Sequence, residues 1–305
     1  MGIRDIVVHL GPDARSLVRL DVAVGLAKAH DGRIVGVFAK ADPEVPRFWL
    51  APMGETWVAE LRAMVEKQVA ASEAAFKTRM KQEGLPGEWR VMTGLPAAVM
   101  SVCARYGDLT VVGQTDPDEL AYGDPTPDRV VLGSGGPVLV VPYVGDVKPV
   151  GRRVLVAWNG TREAARAVRD ALPILERAEI VIVYAVNPPD DRHLAGAEIC
   201  THLARHGVKA EAAHTVLGAE GDAVAPSLST VGDFGFQEHG AWTLSRHPAI
   251  GDIGVGDALL NAVAENGIDL LVMGAYGHSR VRELILGGAT QHVMKSMTVP
   301  VLMSN

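Results

Sequence analysis

The sequence predicts an α/β protein made of two tandem domains, each a doubly wound parallel sheet with helices on both faces. Three observations carry that expectation: a length of 305 residues, a strand-and-helix pattern that occurs twice, and strands that are apolar throughout. Ordinary domains hold about 150 residues, so the length fits two of them. A strand buried on both faces, as in a parallel sheet between helices, has no polar side, which explains continuous apolar runs where a half-exposed strand would alternate.

The elements follow in order. Residues 6–8 (Ile-Val-Val) begin the first half, followed by Gly11 and a helical stretch to His30. Residues 154–156 (Val-Leu-Val), Gly160 and a helical stretch to Ala178 repeat that arrangement. Residues 34–39 correspond to residues 180–185, residues 108–113 to residues 269–274, and residues 137–141 to residues 300–303. Four strand matches in the same order make a duplication the simplest explanation. In the helix of the second half, Ala164, Ala165, Val168, Ala171 and Leu172 recur at three- and four-residue intervals, and Thr161 stands where an N-cap belongs, ahead of Glu163. Strands alternating with such helices imply right-handed crossovers. The predicted domains are residues 1–145 and 151–305, with Pro, Gly and charge interrupting the pattern over residues 142–151.

Composition narrows the function. Apolar residues are 48% of the chain and charged residues 21%, and no apolar run reaches the roughly eighteen residues of a membrane span. Neither a membrane partner nor a secretory leader is expected, and the predicted location is cytoplasmic. The net charge of -7 and the lack of a Lys/Arg cluster oppose binding to nucleic acid, which requires several phosphates to be neutralised. Cys103 and Cys200 stand apart from each other and from any metal-ligand spacing, so neither a disulfide framework nor a metal site is expected. His202 and His206 share a helix face but have no third ligand beside them, and they are expected to be solvated.

In an open parallel sheet, ligands sit beyond the carboxyl ends of the strands. The segment after residues 269–274 begins Gly274-Ala275-Tyr276-Gly277 and ends Gly287-Gly288-Ala289-Thr290. Gly274 and Gly277 let backbone approach a ligand. Gly287 and Gly288 free the amides that open the last helix, where the helix dipole favours phosphate, and Thr290 adds a hydroxyl. His278 lies inside this loop as a phosphate contact or a turn residue, with the turn favoured. No Walker-type Gly-Lys-Ser/Thr and no Ser/His/Asp arrangement points to catalysis.

The segment resembles the G-x2-G-x9-G-[S/T] nucleotide motif of the universal stress protein family, with Gly274, Gly277 and Gly287 matching and Gly288 standing at the Ser/Thr position. The resemblance implies a Rossmann-like, adenine nucleotide alpha hydrolase-like fold in tandem form. It implies an adenine nucleotide as ligand (ATP, ADP or AMP, with or without Mg2+), bound in the second half in a stress or signalling role. It places Ala157, Trp158 and Asn159 against the adenosine, with Asn159 where ATP-binding members usually carry Asp. Val186 and Met273 line the base, and Gly288, Ala289 and Thr290 lie near the phosphates. A slow ATPase or autophosphorylating enzyme and a non-binding scaffold remain as alternatives. The resemblance also implies pairing of the two terminal strands into an intrachain pseudo-dimer, with a homodimer as a further possibility.

The first half lacks the motif. Gly11 stands at the position of Asn159, while Asp116, Asp118 and Glu119 put negative charge where phosphate would lie, and residues 133–136 are expected to be a simple turn. That half is expected to be a degenerate domain that serves as a structural partner. Between residues 217 and 252 the second half carries an insertion containing Phe234, Phe236 and Trp242, expected either to form a lid or partner-docking element or to pack on its own domain.

Overall fold

The computed structural model of the protein describes residues 2–40, 47–116, 127–146, 149–188, 196–217, 224–230, 254–275 and 288–305, without the side chains of 47–58 and 224–230. The chain divides into two compact units, Met1–Tyr143 and Val144–Asn305.

The first unit contains β1 (Asp5–His9), α1 (Ser16–His30), β2 (Arg33–Lys40), α2 (Arg47–Glu83), β3 (Gly87–Thr93), α3 (Pro96–Ala104), β4 (Leu109–Gly113), α4 (Pro127–Ser134) and β5 (Val138–Val141). Its strands are parallel in the order β3-β2-β1-β4-β5. Sequence and space part company between β1 and β4, where the winding reverses. Burial of Ile6, Val8, Ile34, Val37, Leu109 and Val111 on both faces forms the core, as apolar runs in a covered parallel sheet require. Helix α2 packs Phe76 and Met80 onto β2 and β3, and Gly36 and Gly87 make this approach possible. A Cβ at Gly36 would lie 2.9 Å from the Phe76 ring, and one at Gly87 would lie 2.6 Å from Met80 Cγ. Residues 133–136 differ from expectation. Gly133 and Ser134 close α4, with bare Gly133 against Ser101 of α3, and only Gly135 and Gly136 form the turn.

The second unit contains β6 (Arg153–Ala157), α5 (Arg162–Leu175), β7 (Ile180–Val186), α6 (Ala197–Arg205), β8 (Ala210–Val216), β9 (Val224–Thr230), α7 (Val255–Glu265), β10 (Leu270–Gly274), α8 (Gly288–Ser296) and β11 (Val301–Ser304). The order is β11-β10-β6-β7-β8-β9, parallel except for β9, which pairs antiparallel with β8. The reversal here lies between β6 and β10.

The duplication extends to a structural detail. Asp108 Oδ2 accepts the backbone N–H of Arg4 and Asp5 at 2.7 and 2.9 Å, fixing the start of β1. Asp269 does the same at β6, accepting from Gly151 at 2.7 Å and from Arg153 at 3.0 Å. Among the described residues, no helix is long and apolar enough to cross a membrane.

Candidate functional site

The second unit's candidate site is the crevice where the winding reverses, at the carboxyl ends of β6 and β10. Strand register brings Ala157 directly opposite Met273 across these two strands, and Tyr184 of β7 opposite Ala157 on the other side. The backbone N–H of Trp158 bonds the Tyr184 carbonyl at 2.9 Å, which carries β6 one residue further before the chain turns. Asn159 and Gly160 form that turn in the open, with Gly160 at φ 71° in the left-handed region that suits glycine.

Thr161 then caps α5, its hydroxyl oxygen accepting the Ala164 N–H at 3.3 Å. Asn159 Oδ1 accepts both the Thr161 N–H at 3.2 Å and the Thr161 hydroxyl at 2.8 Å. The turn and the helix start are therefore one hydrogen-bonded unit. Glu163 follows in the first turn, buried and paired with the exposed Arg162. Burial pushes its carboxyl up, but the hydrogen bonds from Arg162 and its own backbone and the Arg162 charge outweigh that and hold it below the usual carboxylate range.

Gly274 ends β10 against this helix start. A Cβ there would lie 2.5 Å from Ala164 N and 2.6 Å from Glu163 C, so its bare Cα lets α5 pack directly on the strand. Gly288 opens α8, and among the described residues nothing lies within 4 Å of an added Cβ. Ala289 is half-buried and Thr290 buried in the same first turn. Val186 is half-buried at the end of β7, opposite Thr215. Gly277, His278 and Gly287 lie outside the described residues, as do Phe234, Phe236 and Trp242 of the insertion. The structure thus brings together Ala157, Trp158, Asn159, Met273 and Gly274, and it sets Gly288, Ala289 and Thr290 at a helix N-terminus.

Two residues beside the crevice were not singled out in the sequence. Glu163 is legible only as an acid at a helix start. Asn187 adopts φ 49°, and its Oδ1 accepts the Leu217 N–H at 2.6 Å, tying the end of β7 to the residue that follows β8. An Asn just before Pro188 at a strand end is the sequence signal that marks it.

In the matching crevice of the first unit, between β1 and β4, a pair of the protein's own side chains lies between the strand ends. Arg19 is buried there. Its Nε donates to the His9 carbonyl at 2.9 Å, its Nη1 to Asp13 Oδ1 at 2.9 Å and its Nη2 to Asp13 Oδ2 at 2.5 Å. Gly113, at the end of β4, gives the guanidinium room, since a Cβ would stand 2.8 Å from Nη1. Burial raises the Asp13 carboxyl, and the hydrogen bonds and charge of Arg19 more than reverse this. Burial, aided by the Arg19 charge, pushes the His9 imidazole down to about 3 and keeps it neutral. One cavity lies between the β1–α1 turn and α2, lined by Leu10, Gly11 and Asp13 at the carboxyl end of β1, and another lies at the amino ends of β6 and β10. Neither is lined by Ala157, Asn159, Met273 or Gly274, and the strand ends define the second unit's site.

Elsewhere the chemistry is quiet. Burial pushes the Cys200 thiol up to about 11 and raises that of Cys103 as well, so both stay protonated near neutrality. The His202 and His206 rings meet edge to face with centroids 4.8 Å apart. Among the described residues no group of three or more His, Cys, Asp or Glu side chains is placed to hold a metal ion.

The fold recurs in solved structures. A universal stress protein from Archaeoglobus fulgidus aligns over 99% of this chain and 98% of its own, with a TM-score of 0.65 and 15% identity. A putative universal stress protein from Pseudomonas aeruginosa aligns over 99% and 93%, with a TM-score of 0.56 and 14% identity. At such identities these likenesses concern the fold alone. A universal stress protein of Synechocystis is 46% identical over 46 residues, a stretch that spans 15% of this chain and 16% of that relative's length. The model of the universal stress protein family matches residues 151–305, half of the chain. The protein belongs to the universal stress protein family.

Proposed function

We propose that the second unit binds an adenine nucleotide (ATP, ADP or AMP, with or without Mg2+) in the crevice between β6 and β10, and that its occupancy sets the protein's affinity for partners in a stress response. The observation that carries this reading is the difference between the two switch-point crevices. In the first, a buried guanidinium and carboxylate hold each other between the strand ends. In the second, the corresponding strand ends carry Ala157, Met273 and an exposed Asn159 turn, and among the described residues no ion pair bridges them. The base would lie against Ala157, Val186 and Met273, with Trp158 and Asn159 at its edge. The phosphates would meet the amides at the start of α8, where among the described residues nothing approaches Gly288 and the helix dipole favours negative charge.

No step of catalysis is required of this site. The test is whether protein purified without added nucleotide carries an adenine nucleotide, by absorbance and native mass spectrometry. Retained nucleotide supports the reading. ADP formed from added ATP and Mg2+ would support the slow-hydrolysis alternative, and absence of both binding and turnover would leave an interaction scaffold.

A further inference from the structure

The turn after β6 offers a ligand a hydrogen-bond donor. Asn159 Oδ1 is engaged twice by the protein, by the Thr161 N–H at 3.2 Å and the Thr161 hydroxyl at 2.8 Å. A backbone N–H can only donate, so the atom facing it must be the amide oxygen, and the orientation of the Asn159 amide is fixed by chemistry. Thr161 is held in turn, because its Oγ1 also caps α5 through Ala164 N–H. What remains on this exposed residue is the Nδ2 group with its two N–H bonds, for which no acceptor is recorded among the described residues. Asn159 sits at the end of β6, one strand from the Met273–Gly274 end of β10.

We infer that the second unit reads the base of its nucleotide through the Asn159 amide nitrogen, as a donor to a ring nitrogen or keto oxygen, and so accepts keto purines alongside adenine. The inference rests on the nucleotide-binding reading above. Adenine and hypoxanthine both offer ring-nitrogen acceptors, and hypoxanthine adds a keto oxygen where adenine has an amine. A donor suits either base. A carboxylate at this position would keep the turn with one oxygen and present the other as an acceptor, which repels a keto oxygen and suits an exocyclic amine.

The experiment titrates ATP and inosine triphosphate separately into the full-length wild type and the Asn159→Asp variant. The variant retains an oxygen for Thr161, and a thermal melt confirms its fold. Wild type is expected to bind the two nucleotides within about tenfold of each other, and Asn159→Asp to shift the ratio towards ATP by about tenfold, the scale of one hydrogen bond turned repulsive. The ratio cancels the new negative charge felt by the triphosphate common to both. A wild-type preference for ATP beyond about tenfold, or a ratio that Asn159→Asp leaves unchanged or moves towards inosine triphosphate, overturns the inference while nucleotide binding stands. Failure of both nucleotides to bind wild type overturns the nucleotide-binding reading and this inference with it.

Discussion

At Gly274 the chain has no room for a methyl group, because the obstacle is backbone at the start of α5 that cannot swing aside. Gly274→Ala is expected to cost about 1–3 kcal/mol, the usual range for overpacking, measured by urea unfolding of the second unit. Gly288 is the converse, a glycine with nothing within 4 Å of an added Cβ among the described residues. Gly288→Ser should leave stability within about 0.5 kcal/mol and tighten nucleotide binding several-fold by adding a hydroxyl at the helix start, as read by calorimetry. The sequence shows both glycines alike, and only the surrounding backbone separates a packing glycine from an open one.

His9 supplies a pH dependence of definite sign. Its folded pKa of about 3 lies below the ordinary value of about 6.5, so the unfolded chain binds the extra proton first. The contribution is fully present above pH 6.5 and is lost as pH falls towards 3, at a slope approaching about 1.4 kcal/mol per pH unit. The free energy of unfolding from urea denaturation should fall as pH drops through that window in wild type, and the slope should flatten in His9→Gln.

Among the elements, those buried on both faces were legible and those at the margins were not. The apolar runs of β1, β2, β4 to β7, β10 and β11 could be found because burial on both sides leaves no polar positions. β3 was missed because it is an edge strand, with Glu88 and Arg90 paired to each other amid half-exposed positions. β8 was missed because four of its seven residues are Ala or Glu, types poor in strand propensity. The start of α5 was readable from Thr161, which caps the helix as expected. Thr161→Ala should cost about 1 kcal/mol of stability through the lost cap. It should also weaken nucleotide binding, because Asn159 loses one of its two anchors. A thermal melt alongside a nucleotide titration separates the two effects.

For the whole molecule, the duplicated pattern carried the fold, and it carried less of the site. Asp108 and Asp269 hold the first strand of each unit in the same way, so the repeat in sequence is also a repeat in structure. What makes the two crevices differ was only half visible. The missing Gly-x-x-Gly of the first unit could be read, whereas Arg19 lies six residues from Asp13 in an ordinary helix, and nothing in that spacing announces a guanidinium folded back between strand ends. If nucleotide occupies the second crevice alone, it should slow hydrogen exchange at β6, β10 and the first turn of α8 and leave β1 and β4 unchanged. The most direct test is isothermal titration of ATP into nucleotide-stripped, folded, full-length protein. One binding site per chain, abolished in a variant that blocks the second crevice such as Ala157→Trp, is the predicted result. No heat with any adenine nucleotide, or a site that survives Ala157→Trp, would contradict it.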